Sequence, residues 1–162
     1  MDLFLLRHGI AEHPKPGESD SARALTPEGR RKLRSVLEVA RGAGVQPSLI
    51  LSSPLKRAIE TAEIADEVLG YRGKILKTKV LQPDSNAQDV WQELRGHRAE
   101  PALLLAGHEP LFSSLAAYLL GDSSIRVDFK KGALLKLSVD SFPPIPRAVL
   151  EWYLTPKLAL GR

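Results

Sequence analysis

The sequence predicts one three-layer α/β/α domain on a mostly parallel sheet, closed at its C-terminal end by an antiparallel strand pair. Three observations carry that expectation. Short uninterrupted apolar runs at residues 3–6, 49–51 and 102–106 have the length of strands buried on both faces. Each run is followed by a segment of helical periodicity, and alternating strand–helix units call for a parallel sheet covered on both sides. At 162 residues, 43% hydrophobic and 26% charged, the chain has the size and composition of one globular domain, taken here as 1–162, with no repeat or linker to divide it.

The first strand ends in Arg7, His8 and Gly9, so a cation and an imidazole stand where a core strand emerges. Gly9 permits a sharp turn and the close approach of a ligand. Residues 12–25 then form a polar, proline-containing loop, longer than most connectors and placed to rim a site. Thr26 as N-cap, Pro27 at the first helical position and Glu28 in the first turn open a helix. Its apolar stripe is Leu33, Val36, Leu37 and Ala40, and Gly42 or Gly44 ends it.

The second strand, residues 49–51, runs into Ser52, Ser53 and Pro54. Ser53 and Pro54 read as cap and first residue of a helix to about residue 69, with Gly70 beyond it. A third strand is expected over residues 75–81, then a turn at 82–86 and a short helix carrying Val90, Trp91 and Leu94. The fourth strand, residues 102–106, reads as central and ends in Gly107, His108, Glu109 and Pro110. The next helix places Leu111, Leu115 and Leu119 on one face and stops at Gly121. Residues 133–139 alternate between apolar and wetter positions, and residues 149–154 form a second extended segment across a proline-rich loop, an antiparallel edge pair.

Composition narrows the function. No apolar run approaches the roughly 20 residues of a membrane span, and the start lacks the basic stretch of a signal peptide. There is no cysteine, hence no disulfide framework and no thiolate chemistry, and a cytoplasmic location fits best. The net charge of +4 favours anionic partners. The densest basic run, Arg30, Arg31, Lys32 and Arg34, reads as a solvated helix face without aromatics to stack bases, so neither nucleic acid nor membrane is an expected partner. His13 and His97 read as surface residues, Lys130 and Lys131 as solvent-facing charge, and Trp91 and Trp152 as packing residues. No histidine pair has zinc-like spacing, and no glycine-rich nucleotide loop is present, so no metal or cofactor is expected.

Three polar clusters remain: Arg7-His8-Gly9, residues 52–57, and Gly107-His108-Glu109. Each follows a strand, and ligands of open α/β sheets bind outside the carboxyl ends of the strands. Arg57 falls in the first turn of its helix, where backbone N–H groups already favour an anion. Two arginines, two histidines and two helix starts make a phosphate-shaped site, because the guanidinium fork matches phosphate oxygens and keeps its charge.

The strings LFLLRHG, SSPLKRAIETA and LLLAGHEP, in that order and each at a strand end, resemble the histidine phosphatase superfamily. The short chain, the RALTPEGRR stretch and the loop from Leu81-Gln82-Pro83 are more similar to its SixA-type phosphohistidine phosphatases than to the larger phosphoglycerate mutases. The resemblance spans most of residues 2–120. It implies a phosphoglycerate mutase-like fold and a metal-independent phosphatase with a phosphohistidine enzyme intermediate. By the same resemblance His8 is the phosphoryl acceptor, Arg7 and Arg57 clamp the phosphate beside Gly9, and His108 donates a hydrogen bond to it.

One departure bears on substrate. Many members carry a glutamate after the third strand as general acid; here that stretch reads KVLQPDSNAQD. Asp84 and Glu109 are then the candidate proton donors, although Asp84 better suits a turn or helix cap and Glu109 also suits a cap of the following helix. An alkoxide leaving group, with a conjugate-acid pKa on the order of that of water at roughly 15–16, needs such an acid. An imidazole leaving group, titrating near ~6.5, does not. The expected substrate is therefore phosphohistidine on a signalling protein such as a phosphotransfer domain, in an open cleft. The rival expectations are a phosphatase of small phosphate monoesters and a non-catalytic phosphate- or phosphoprotein-binding module.

Overall fold

The computed structural model describes residues 1–161; Arg162, the last residue of the expected domain, lies outside the described residues. In chain order the first half comprises β1 (Asp2–Arg7), α1 (Pro27–Gly42), β2 (Leu49–Ser52), α2 (Lys56–Leu69) and β3 (Leu76–Lys77). The second half comprises α3 (Ala87–Gly96), β4 (Ala102–Gly107), α4 (Leu111–Leu120), β5 (Leu134–Val139), β6 (Ala148–Leu154) and the short α5 (Pro156–Ala159). No helix among the described residues is long and apolar enough to cross a membrane.

Successive strand side chains point to opposite faces, so a strand between two helical layers must be apolar at every position. β1 does this: Leu3 and Leu5 enter one core and Phe4 and Leu6 the other. The first core is closed by Trp91 and Leu94 of α3 with Phe112 and Leu115 of α4. The second is closed by Leu33, Val36 and Leu37 of α1 with Ala62 and Ala65 of α2. This is the expected three-layer domain.

The sheet order is β3-β2-β4-β1-β5-β6. β2 and β1 run parallel to β4 on either side of it, while β5 runs antiparallel to β1 and to β6. The chain thus starts near the middle, crosses to β2, and later returns to fill the gap with β4. That insertion brings the carboxyl ends of β1, β4 and β2 side by side. Register sets their level, with Arg7 opposite Gly107 and Ser52 opposite Ala106.

Two expected elements are revised. The third strand, expected over 75–81, is the two-residue β3, after which Thr78 Oγ1 accepts from Val80 N–H at 3.4 Å and caps a 3-10 turn, Lys79–Leu81. That turn buries Leu81 beside the α3 core, which a continued edge strand would not do. The second helix begins at Lys56 rather than at Pro54. Leu55 rather than Ser53 occupies the N-cap position, and the Ser53 backbone N–H still extends the sheet, donating to Ala106 O at 3.0 Å. The basic run of α1 is held by carboxylates: Arg30 pairs with Glu60 at 2.8 Å, Lys32 with Glu28 at 2.8 Å and Arg34 with Glu67 at 2.6 Å.

Gly29, in the first turn of α1, packs backbone to backbone against the segment that leaves β1. A Cβ there would stand 2.3 Å from Ile10 O and 2.9 Å from Ile10 N. Alanine in place of helical glycine ordinarily stabilises by up to about 1 kcal/mol. Here Gly29→Ala is expected to destabilise by about 1–3 kcal/mol, because rigid backbone atoms must move. Urea unfolding reads the sign, and a midpoint above wild type would refute the clash.

Candidate active site

The three strand ends meet as expected. His8 follows β1 and its N–H donates to Gly107 O at 2.9 Å, which anchors it to the neighbouring strand. His108 follows β4, and the two imidazole centroids lie 5.1 Å apart. Arg57 enters from the first turn of α2. His8, Arg57 and His108 are only 7%, 4% and 1% exposed, unusual for groups of this polarity.

The His8 ring is oriented by its own turn. Its Nδ1 lies 2.7 Å from Gly9 O, and a carbonyl oxygen only accepts, so Nδ1 carries the proton and Nε2 keeps its lone pair. Burial pushes the His8 pKa down to about 3; the Gly9 carbonyl opposes this, while Arg57, Arg7 and Lys131 add to it. Burial likewise pushes His108 down to about 3, helped by His8 and Arg57. Both rings are therefore neutral at physiological pH.

The arginines are held from behind. Arg7 Nη1 donates to Phe129 O. That loop is clasped by Tyr153 of β6, whose hydroxyl accepts from Lys130 N–H at 2.8 Å and donates to Asp128 O at 2.9 Å. Arg57 Nη1 donates to Asp20 O at 3.0 Å and Nη2 to Asp20 Oδ2 at 3.1 Å. Although burial pulls it upward, Arg23 and Arg57 hold the Asp20 carboxyl below its ordinary pKa. Thr61 ties the turn to the helix, accepting from Gly9 N–H at 3.3 Å and donating to Arg57 O at 2.7 Å. Ser53 Oγ lies 2.8 Å from His108 Nε2.

What is left unpaired defines the chemistry. Among the described residues, the buried side-chain nitrogens or oxygens without a protein partner are Arg7 Nε, Arg57 Nε and His108 Nδ1. Buried polar groups are nearly always satisfied. All three exceptions belong to the same cluster, and two are cationic donors, so the cluster is built to receive an anion. Among the described residues no group of three or more His, Asp or Glu side chains is placed to hold a metal ion.

The two proposed proton donors sit differently. Glu109 Oε1 accepts from Ser113 N–H at 2.6 Å, so it caps the start of α4. Asp84 lies exposed in the turn before α3. His97 pairs with Glu93 at 3.3 Å on the surface of α3, and Trp91 is buried with its Nε1–H on Pro143 O at 3.0 Å. Asp20, Ser53 and Thr61 were not singled out as site residues from the sequence. Asp20 reaches Arg57 across 37 positions, and no local pattern announces such a contact.

The family described as the histidine phosphatase superfamily (branch 1) matches residues 3–82. An uncharacterized protein of Picosynechococcus sp. is 30% identical over 139 residues, covering 85% of this chain and 84% of that protein. The structure of the protein histidine phosphatase SixA complexed with tungstate is similar with a TM-score of 0.86 and 26% identity, over 96% of this chain and 97% of that one. The alpha-ribazole phosphatase of Shigella flexneri is similar in fold, with a TM-score of 0.71 and 18% identity over 96% of this chain and 97% of that one.

Proposed function

The chain belongs to the histidine phosphatase superfamily, and from that premise we propose that it is a phosphohistidine phosphatase working through a phosphoryl group carried transiently on His8. One observation carries the reading: a neutral His8 ring, its Nδ1–H held by Gly9 O, presents Nε2 among buried donors that lack partners. The tungstate held by the similar SixA structure is likewise an oxyanion.

In the first step His8 Nε2 attacks phosphorus, and an N–P bond forms as the bond to the leaving group breaks. Arg7 and Arg57 balance charge on the equatorial oxygens, and His108 adds a neutral hydrogen bond. Because burial keeps His8 unprotonated, its lone pair is available without a separate base. In the second step water attacks the phospho-His8, which frees the ring and releases inorganic phosphate. None of these steps calls on a metal ion.

The leaving group decides the substrate. Glu109 is occupied at the helix start, and Asp20 is held ionised by two arginines. Asp84 lies exposed in its turn, unlike the buried His8, Arg57 and His108. A site without a positioned acid forfeits about 10²–10⁴-fold on an alkoxide, whereas a histidine ring departs neutral once its other nitrogen is protonated. A panel comparing a phosphohistidine-bearing phosphotransfer protein with aryl and alkyl phosphates tests this. The kcat/KM for the phosphohistidine protein is expected to exceed that for alkyl phosphates by about 10² or more. Comparable values would favour the small-ester reading, and binding without any turnover would favour a non-catalytic module.

A further inference from the structure

We propose that Ser53 is a positioning residue which decides the tautomer of His108, donating its hydroxyl proton to Nε2 so that the ring's single N–H is at Nδ1. The inference rests on reading the cleft as a phosphoryl-transfer site, but its physical basis is local.

A neutral imidazole has one N–H and one lone pair, and which nitrogen has which is set by the partner of either. His108 is neutral at physiological pH, because burial first and then His8 and Arg57 disfavour its protonation. Its Nε2 lies 2.8 Å from Ser53 Oγ, and its Nδ1 is buried with no partner among the described residues. The direction of the Ser53 bond therefore fixes what the site presents at Nδ1: a donor or a lone pair.

Ser53's other bonds choose the direction. Its Oγ already accepts from Leu55 N–H at 3.3 Å. Its one hydroxyl proton needs an acceptor, and Nε2 is the acceptor at hand. The opposite arrangement, with Nε2–H donating to Oγ, would strand that proton in a site where Ser53 is fully buried, at the cost of an unsatisfied buried donor. It would also turn a lone pair at Nδ1 toward an anion instead of a hydrogen. With Nδ1–H, the three unpartnered buried atoms Arg7 Nε, Arg57 Nε and His108 Nδ1 are all donors.

The serine is itself held rigidly. Its N–H donates to Ala106 O at 3.0 Å, and its carbonyl accepts from Ser52 Oγ at 2.9 Å. Ser53 thus continues the ladder of β2 onto β4, the strand that His108 follows. The delayed start of α2 has a purpose here: Ser53 stays extended so that its hydroxyl faces the imidazole rather than capping a helix.

Nitrogen NMR of the wild-type protein with 15N-labelled histidine reads the tautomer directly in the resting protein, whatever the substrate. Expected is a His108 with a protonated Nδ1 and a bare Nε2 throughout the neutral pH range. A protonated Nε2 would overturn the proposal. In Ser53→Ala the tautomers are expected to redistribute, with kcat on the best substrate of the panel down by at least about tenfold, as when a histidine loses the partner that orients it. Ser53→Thr, which keeps the hydroxyl, is expected to recover Nδ1–H and most of kcat. A Ser53→Ala protein that retains Nδ1–H, or one with wild-type kcat, would refute the assignment. Absence of turnover on every substrate would instead count against the proposed function, with the spectrum still reporting on the serine.

Discussion

Replacing His8 by alanine is expected to lower phosphatase activity by at least about 10⁴-fold, the scale lost when an enzyme's nucleophile is removed. No side chain in the cluster replaces it, since the Nε2 of His108 is engaged with Ser53. Rapid quenching into alkali, which preserves phosphohistidine, is expected to trap labelled phosphoenzyme from wild type and none from His8→Ala. The pH profile gives a second view of the same residue. Ordinary histidine protonates near ~6.5, but burial pushes His8 down to about 3. A lowered pKa keeps the ring neutral as pH falls, so wild-type activity is expected to show no acid limb from His8 between about pH 7 and pH 5. Near-wild-type turnover in His8→Ala, or an acid limb near ~6.5 that vanishes with His8, would sink the nucleophile assignment.

Arg57→Ala is expected to cost about 10²–10³-fold in kcat, the range for removing one preorganised donor from a developing anion. Arg57 is buried and backed by Asp20, so a guanidinium lost here is not replaced by solvent. Arg57→Lys is expected to recover little, because an ammonium cannot span two phosphate oxygens and Asp20 at once. The variants should keep the far-ultraviolet circular dichroism of wild type, which separates loss of charge from loss of fold. An Arg57→Ala enzyme within a few-fold of wild type would remove Arg57 from the machinery.

Most of the architecture was legible in the sequence because buried strands and capped helices leave local marks. Thr26 accepts from Gly29 N–H at 2.9 Å, the N-cap that Thr-Pro-Glu announces. Gly70 and Gly121 adopt left-handed φ of 68° and 81° at the helix ends where a glycine stop was read. The misreadings fall where tertiary bonds outbid local preference. Thr78 folds an apolar stretch into a 3-10 turn instead of extending β3, and Ser53 serves the sheet and His108 instead of capping α2. The C-terminal strand pair, predicted as an edge, also proves to support the site, since Tyr153 braces the loop whose Phe129 carbonyl holds Arg7.

The sequence by itself determined the three-layer fold and the polar clusters that follow its strands, because hydrophobic period and N-cap chemistry act over a few neighbouring positions. Only the tertiary structure decided what Ser53 does for His108 and that Asp20 stands behind Arg57. Those facts depend on hydrogen bonds between segments as much as 55 positions apart. The insertion of β4 between β1 and β2 brings those segments together, and it leaves no mark in any short window of the chain.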